Sequence, residues 1–397
     1  MRIAFSVIKH IQYGGGIEKF TYELGRRLAA RGHDVSVYST RHYGPVPPVL
    51  EGMRIVGVPS LPLATAEKLS ASAFAAARTL IDPKAEIVHF HHVSAGWIAW
   101  LSRARGQRCV LQAHSLAEKS PQWGKTGAAV LRMLEELAVR SCHAITAVSP
   151  VLRYHFLQRY GRQASIIPPG VEPKPLVPPS EIRRWGLTDG SYILYVGRLS
   201  PEKGPHLLIA AFRRLPTRLR LVIAGDSHDE AYKARLAAMA DGDPRILLAG
   251  LAGGRVLEEL FSNARLFVLP SLLEGLPLSL LEAMNYGLPC LASDIPENLH
   301  VLDNFGFTFR SEDALSLSER IDWLLRNPEA GTAAGRQAQA LVRSRYTWDV
   351  TTDRYESLYH QCLGDSVYTV GNLDDSEDQK PDRIPACSDQ QIGPELW

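Results

Sequence analysis

Cysteine is scarce in this sequence, and its few copies are scattered. The 397 residues include five cysteines, and no two of them form a Cys-x-x-Cys pair. Disulfide-stapled secreted domains and structural zinc sites both need numerous or closely spaced cysteines. We therefore expect neither, and interpret Cys109, Cys142, Cys290, Cys362 and Cys387 as reduced, mostly buried thiols.

Long apolar runs are missing as well. No stretch approaches the roughly 18 consecutive apolar residues that suggest a membrane-spanning helix. The opening MRIAFSVI also lacks the three-part pattern of a secretory signal. These absences predict a cytosolic protein without a spanning anchor.

A strong charge of one sign is absent too, because the formal net charge is only +2. The charges are unevenly distributed, since residues 365–397 contain eight acidic and two basic side chains, which leaves 42 basic and 34 acidic ones in the body. This mild basic surplus suits anionic ligands or a membrane surface, and is too weak to indicate nucleic acid binding. The acidic tail has few apolar residues, and we expect it to be disordered.

What is present is a composition that can fill large cores, with 45% apolar and 22% charged residues. The length exceeds what one hydrophobic core usually fills, so two domains are expected. Short apolar runs alternate with helix-length segments, which predicts parallel sheets covered by helices on both faces. Strands are predicted at residues 2–7, 34–38, 86–90, 108–112, 144–148 and 165–167, and again at 192–196, 220–224, 245–248, 266–269 and 289–292.

The two runs of strands are separated by a proline-rich segment. Residues 168–179 contain six prolines, which can continue neither a sheet nor a helix. We interpret this segment as an interdomain hinge. The predicted organisation is one α/β domain over 1–170, a second over 171–345, one helix over 346–362 and a tail over 363–397.

The loop after the first predicted strand, HIQYGGGIEKF, is rich in glycine. The backbone N–H groups of Gly14, Gly15 and Gly16 could approach an anion at the N-terminus of the following helix. The spacing does not match the dinucleotide-binding Gly-x-Gly-x-x-Gly, and an ordinary tight turn is the alternative.

The corresponding loop of the second half is VGRLSPEKG. Arg198 leaves the end of a strand and Lys203 precedes a helix, so the two cations could hold both phosphates of a diphosphate. The alternative is a pair of solubilising surface charges.

Two carboxylates stand inside an apolar run, PSLLEGLPLSLLEAMNYGLP. Glu274 should lie in a turn, Pro277 suits the first position of a helix, and Glu282 follows about one and a half turns later. Both carboxylates would then crowd one helix N-terminus. A capping or salt-bridged pair is the structural alternative.

Histidines follow two strands of the first half. His114 would face the cleft and could bind a sugar hydroxyl or a phosphate oxygen, unless it is a core histidine. Strand alternation sends His89 and His91 to one face and His92 to the other, which favours structural roles over metal binding. Asp241 and Asp243 resemble an Asp-x-Asp metal motif, but their position between a helix and a strand indicates a turn.

These motifs, in this order, resemble the retaining glycosyltransferases of family 4, which have the GT-B fold. The similarity rests on GGGIE, VGRLSPEKG, the Glu-x7-Glu spacing of Glu274 and Glu282, and ASDIPEN. The closing YTWDV and YESLY are similar to that family's last helix, which returns to the first domain. The resemblance covers roughly residues 1–362 and implies two Rossmann-like domains facing across a cleft.

The resemblance also implies roles for the site residues. Glu282 would hold the donor ribose and Glu274 the transferred sugar, with help from the amides of Gly275 and Leu276. Arg198 and Lys203 would stabilise the departing diphosphate without a metal, so neither a metal nor another cofactor is expected. His114 and the Gly15-Gly16 loop would complete the site on domain closure, and Glu18 would touch the acceptor.

The implied activity is transfer of a sugar from a nucleotide diphosphate sugar to a saccharide or lipid-linked acceptor, in surface polysaccharide or glycolipid synthesis. An epimerase or phosphorylase on the same fold and a catalytically silent binding protein are the alternatives. Peripheral contact with an anionic membrane is a further hypothesis, against a solvated face with core tryptophans. It rests on Arg103, Arg105, Arg108, Lys119, Lys125 and Arg132, interleaved with Trp97, Trp100 and Trp123.

Overall fold

The computed structural model describes residues 1–11, 15–60, 70–75, 78, 85–114, 125–227 and 229–365. Within these ranges the strands form two separate sheets, of eight and six strands. Residues 366–397, which include most of the acidic tail, lie outside the described part.

The first sheet is almost entirely parallel. Its strands are β1 (Arg2–Ile8), β2 (Asp34–Thr40), β3 (Val49–Leu50), β4 (Met53–Val58), β5 (Ile87–His91), β6 (Arg108–Ala113), β7 (Ala144–Ala147) and β8 (Ser165–Ile166). They lie in the order β3-β4-β2-β1-β5-β6-β7-β8. The short β3 pairs antiparallel to β4, and all other neighbours are parallel. Such a sheet needs cover on both faces, because it exposes no polar face of its own.

Helices supply that cover. They are α1 (Gly16–Ala30), α2 (Val93–Gly96), α3 (Ala99–Ala104), α4 (Lys125–Ser141) and α5 (Pro150–Tyr160). In α1 the apolar side chains Phe20, Leu24 and Leu28 recur at helical spacing and are buried. They pack with Phe5 of β1 on one face of the sheet, while Ala4 and Phe90 belong to a second cluster. This side of the molecule is therefore a doubly wound layer structure.

The second sheet is wholly parallel. Its strands are β9 (Tyr192–Val196), β10 (Arg220–Ala224), β11 (Ile246–Gly250), β12 (Leu266–Leu269), β13 (Cys290–Ser293) and β14 (Phe307–Phe309), in the order β11-β10-β9-β12-β13-β14. Its helices are α6 (Pro205–Phe212), α7 (Glu230–Ala240), α8 (Gly254–Ser262), α9 (Leu278–Asn285), α10 (Pro296–Leu302), α11 (Ala314–Arg326) and α12 (Pro328–Arg345). One contiguous apolar core fills the space between these layers.

The last described helix, α13 (Trp348–Leu363), returns to the first sheet. Its side chains Trp348, Tyr355 and Tyr359 are buried in the cluster that contains Phe5 and Phe20. The side chain of the preceding residue accepts a hydrogen bond from the Val350 N–H (3.2 Å) and so caps the helix.

Crossing back brings two segments of chain side by side. The Val171 N–H, within the proline-rich stretch, donates to the Tyr346 carbonyl (2.8 Å). On the surface, Arg31, the residue that follows α1, binds both Asp353 and Glu356 of α13, at 2.7 and 2.6 Å. The returning helix is thus joined to the first sheet by both apolar packing and ion pairs.

The expected fold class, two Rossmann-like parallel α/β layers, is confirmed. Three strands have the predicted bounds: Tyr192–Val196, Arg220–Ala224 and Leu266–Leu269. The placement of Pro277 at the first helical position was wrong, because α9 begins at Leu278 with Pro277 as its N-cap. Missed elements are β3, β4, β14 and α10.

The scarce cysteines behave as expected wherever they are described. Cys109, Cys142 and Cys290 are buried, Cys362 is half-buried, and all four are free thiols. Burial raises the pKa of Cys109 to about 12. Cys387 lies outside the described residues. No helix in the described part is both long and apolar enough to span a bilayer.

Candidate functional site

The loop after β9 packs directly on the segment that contains Glu274. Lys203 ends a short 3-10 turn, Pro201–Lys203, and Gly204 follows with a φ of 68°. A β-carbon on Gly204 would lie 2.1 Å from the Pro270 carbonyl oxygen, so only glycine allows this approach. The Leu272 N–H also donates to the carbonyl of Glu202 (2.8 Å). The two loops therefore form one unit at the carboxyl end of the second sheet.

Within that unit Lys203 and Glu274 form an ion pair. Lys203 Nζ lies 2.6 Å from Glu274 Oε2, with side-chain exposures of 19% and 7%. Lys203 Nζ also donates to the Leu273 carbonyl (3.3 Å), and Ser271 Oγ donates to Glu274 Oε1 (2.7 Å). An ammonium group has three donors and a carboxylate about four acceptor positions, so both groups keep capacity for a ligand.

Arg198 stands beside this pair in a more open position. Its guanidinium is 60% exposed and donates to Glu202 Oε1 (2.9 Å). The buried Tyr195 hydroxyl donates to the Arg198 carbonyl (2.9 Å). Burial, followed by the charge of Glu274, raises the pKa of Tyr195 well above its usual range. The phenol therefore holds the Arg198 backbone, while an exposed ion pair leaves the guanidinium easy to redirect.

The start of α9 faces the first domain. Leu276 is partly buried and packs against cores of both sheets, and Gly275 precedes it in the same irregular segment. Glu282, in α9, has its Oε1 2.8 Å from Nζ of Lys19, which belongs to α1. Burial acts to lower the pKa of Lys19, but the charge and hydrogen bond of Glu282 outweigh it and the pKa is raised.

The glycine loop has a structural requirement of its own. The Lys9 N–H donates to Oε1 of the buried Glu18 (3.1 Å). A β-carbon on Gly15 would lie 2.1 Å from Oε2 of the same carboxylate. Gly16 faces the other domain, since its β-carbon would lie 3.9 Å from Leu278 Cδ1. Gly14 is outside the described residues.

His114 lies at the edge of this arrangement. It follows β6, is half-buried, and its ring centroid is 5.7 Å from that of Phe20 in α1 and 5.9 Å from that of His91. The structure thus places His114 beside α1, on the carboxyl side of the first sheet.

His89 and His91 form a buried hydrogen-bond network. His89 and His91 lie on one face with ring centroids 4.7 Å apart, as the strand alternation predicted. His91 Nδ1 and His89 Nε2 both donate to Gln112 Oε1, at 2.9 and 3.2 Å. Their remaining nitrogens lie within hydrogen-bond distance of the hydroxyls of Thr21 (2.9 Å) and Tyr359 (2.6 Å). Each imidazole therefore has a hydrogen-bond partner at both of its ring nitrogens.

Burial is the main cause that lowers the pKa of both histidines, to about 4 for His91 and well below the usual range for His89. Among the described residues, no group of three or more His, Cys, Asp or Glu is arranged to hold a metal. Asp243 instead binds Arg245 (2.7 Å) in the turn predicted around Asp241.

The residues of the membrane hypothesis divide between core and surface. Trp97 packs partly buried against the core of the first sheet, whereas Trp100 of α3 is 48% exposed. The arginines among them, Arg103, Arg105, Arg108 and Arg132, are exposed. Lys119, Trp123 and the side chain of Lys125 lie outside the described part. The structure also shows an exposed apolar stripe on α4, formed by Val130, Met133 and Leu137, that was not predicted from the sequence.

Comparison with known families adds the remaining evidence. Residues 14–174 match the model described as Glycosyltransferase Family 4, and residues 180–341 match the model described as Glycosyl transferases group 1. The two matches meet at the proline-rich segment, so each covers one of the two sheets.

Similar proteins span nearly the whole chain. A D-inositol 3-phosphate glycosyltransferase of Xylanimonas cellulosilytica is 26% identical over 392 residues, covering 87% of this chain and 92% of its own. The O-antigen chain mannosyltransferase C of Escherichia coli is 26% identical over 362 residues, covering 88% and 95%. The fold is similar to that of Anabaena HepE in complex with UDP and glucose, with a TM-score of 0.76, 18% identity and coverage of 91% and 100%.

Proposed function

We propose, from the premise that this chain belongs to the family 4 glycosyltransferases, that its cleft moves a sugar from a nucleoside diphosphate to a saccharide or lipid-linked acceptor with retention. The observation that carries the proposal is the convergence of Lys203, Glu274 and Glu282 around the start of α9. The two curated relatives are both named as transferases, which favours this reading over an epimerase, a phosphorylase or a silent binding protein.

The donor is proposed to lie against the second sheet. Glu282 would accept hydrogen bonds from the ribose hydroxyls, once its oxygen is released by Lys19. Glu274 would accept from hydroxyls of the transferred sugar, beside the amides of Gly275 and Leu276. An ionised carboxylate offers one oxygen to each of two neighbouring hydroxyls, and its charge makes both hydrogen bonds stronger than those to a neutral amide.

The diphosphate is proposed to lie between Arg198 and Lys203. Lys203 has a donor left after binding Glu274 and the Leu273 carbonyl. Arg198, whose side chain is 60% exposed, needs only to exchange its partner Glu202 for a phosphate. Two cations fixed at the leaving group stabilise its developing charge in the transition state. For this reason we propose that transfer needs neither a bound metal nor another cofactor.

Glu274 is not proposed as a nucleophile. Both of its oxygens are already engaged, one by the Ser271 hydroxyl and the other by the Lys203 ammonium. We propose instead that the acceptor hydroxyl attacks the anomeric carbon from the side on which the diphosphate leaves. His114, Gly15 and Gly16 would border that side, and Glu18 would act near the acceptor by fixing the loop.

The test is thermal unfolding against UDP, GDP, ADP, dTDP and CMP in buffer with a chelator. A ligand at about 100 times its Kd adds roughly 2.7 kcal/mol to the free energy of unfolding. We expect one nucleoside diphosphate to stabilise the wild type and not Glu282→Gln, while the exposed control Glu319→Gln behaves as the wild type. No shift with any nucleotide, or a shift that requires a metal, contradicts the proposal.

Peripheral membrane contact at the cytosolic face is part of the proposal. It is supported by the exposed stripe Val130, Met133 and Leu137 on α4. The helix α3 lies next to α4, because Arg103 Nη1 donates to the Arg140 carbonyl (3.3 Å), and it brings arginine side chains beside this stripe. Apolar side chains among arginines suit an anionic lipid surface. The expected result is flotation with phosphatidylglycerol vesicles, absent with phosphatidylcholine and reduced by Met133→Ser. Equal flotation with both lipids, or none, contradicts it.

A further inference from the structure

A pocket of about 530 Å³ lies beside the first sheet, between β4 and the segment that joins β2 to β3. Its walls are Arg41, Gly44, Pro45, Val46, Pro48, Ile55 and Gly57. The volume lies within the range of small-molecule sites, roughly 300–1,000 Å³. The side chains of Val46 and Ile55 and the prolines make one part of the wall apolar, and Arg41 alone contributes a charged side chain. A pocket of this kind suits a ligand with both an apolar face and a negative group.

The guanidinium of Arg41 is available to such a ligand. Arg41 is exposed, and its guanidinium has no carboxylate within 4.0 Å among the residues described here. Arg26 and Arg27 of α1, in contrast, are paired and bind Glu172 at 3.2 and 3.0 Å. An unpaired guanidinium has five donors in a planar fork that matches a carboxylate or a phosphate.

The position of Arg41 depends on the absence of a side chain in β4. A β-carbon on Gly57 would lie 2.5 Å from Arg41 Nε and 3.0 Å from its Cγ. The side chain of Arg41 therefore packs directly against the backbone of β4 at Gly57. Glycine weakens a strand interior, and its presence there often marks a site of close approach. Here it allows the cation to lie along the pocket wall.

The pocket adjoins the loop that leads to the proposed active site. The Thr40 N–H donates to the Lys9 carbonyl (3.1 Å), and His10 Nε2 lies 3.2 Å from the Pro45 carbonyl oxygen. The Lys9 N–H in turn donates to Glu18. The segment that forms the pocket is thus attached, through residues 9–11, to the start of α1, and Lys19 of α1 contacts the second domain.

We propose that this pocket binds an acidic group of the acceptor, a phosphate or a carboxylate, through Arg41. The inference rests on the proposed transferase function, because it assigns the acceptor to the first domain and the donor to the second. Neutral sugars would contact only the apolar wall. An acceptor with a negative group would gain a bidentate, charge-assisted contact.

The test is calorimetric titration of the full chain with glucose 6-phosphate, glucuronate and glucose. We expect one of the acids to bind at least tenfold more tightly than glucose, and the two acid arms separate phosphate from carboxylate. Arg41→Gln should remove that advantage. Gly57→Ala should also remove it, although it keeps the charge, because the new methyl group displaces Arg41. Arg336→Gln, an exposed arginine of α12, is the charge-matched control and should bind as the wild type.

The outcome is separable from that of the proposed function, because binding of UDP, GDP, ADP, dTDP and CMP is measured on the same variants. If nucleotides bind but neither acid is preferred to glucose, the acceptor proposal is overturned and the transferase proposal stands. Loss of acid preference in Arg336→Gln to the same extent as in Arg41→Gln also overturns it. Failure of every nucleotide to bind overturns the transferase proposal instead.

Discussion

The ammonium nitrogen of Lys19 lies 2.8 Å from Oε1 of Glu282, so a residue in the first turn of α1 is bonded to α9 across the cleft. Lys19 follows the glycine loop of the first domain, and Glu282 is the carboxylate proposed to hold the donor ribose. Since one carboxylate oxygen is engaged by the lysine, the ribose and the lysine would compete for it. The ion pair therefore links domain contact to donor binding.

Removal of Lys19 should strengthen donor binding. Lys19 is 56% exposed and Glu282 27% exposed, so the pair contributes at most about 1 kcal/mol. We expect Lys19→Met to bind the selected nucleoside diphosphate about two- to fivefold more tightly than the wild type, measured by calorimetry. Lys19→Arg, which keeps the charge, should bind as the wild type. Weaker binding by Lys19→Met would show that the lysine contacts the bound donor instead.

The local sequence pattern was sufficient to predict the strands in the interior of both sheets. Strands such as Phe267–Leu269, within β12, are short apolar runs buried on both faces, and their pattern identifies them without knowledge of their neighbours. The missed strands lie at the sheet edges or next to them. Both β4, with its glycine, and the three-residue β14 depend on pairing with a distant strand, which local pattern does not contain.

In the candidate site, likewise, the sequence identified some residues but not their contacts. The residue types and the spacing of Glu274 and Glu282 were visible in the sequence, but the partners were not. Lys203 pairs with a carboxylate 71 positions away, and Lys19 with one 263 positions away. Such contacts result from the packing of whole loops and domains. Only the adjacency of Lys19 to the glycine loop could have drawn notice to it.

Breaking the pair of Lys203 and Glu274 should destabilise the second domain. Lys203→Met leaves a nearly buried carboxylate without its cation, and we expect a loss of about 3 kcal/mol in the free energy of unfolding. Glu274→Gln in the same chain should recover part of that loss, because no unpaired charge remains. Urea unfolding of both single variants and the double variant measures the coupling. Additive effects of the two substitutions would show that the pair does not interact in solution.

Gly225 should tolerate no side chain. Its φ is 153°, and a β-carbon would lie 1.8 Å from the Gly197 carbonyl oxygen, in the loop that leads to Arg198. We expect Gly225→Ala to lower the free energy of unfolding by about 3 kcal/mol, because the two strand ends must separate. The matched control is Gly253→Ala, where a β-carbon meets nothing within 4 Å. Its loss should stay below about 1 kcal/mol, and equal losses in the two variants would contradict the explanation.

Glu259 should make stability depend on pH. Its fully buried carboxylate accepts from the N–H groups of Ser180 (2.8 Å) and Ile182 (3.2 Å) and from Arg255 Nε (3.1 Å). Burial acts to raise the pKa of Glu259, but these hydrogen bonds outweigh it and the pKa is lowered. A carboxyl group with a lowered pKa in the folded state stabilises the protein above its unfolded pKa of about 4.3, and that contribution is lost as the pH falls.

We therefore expect Glu259→Gln to reduce the free energy of unfolding by about 2 kcal/mol at neutral pH, since charged hydrogen bonds to the chain after the hinge are lost. The difference from the wild type should narrow as the pH falls from 5 towards the folded-state pKa, because protonation removes the same charge from the wild type. Urea unfolding at a series of pH values measures this, with the exposed Glu319→Gln as a control that shows no such trend. A difference that is constant over the series would mean that the lost contribution is packing, and not the charge of Glu259.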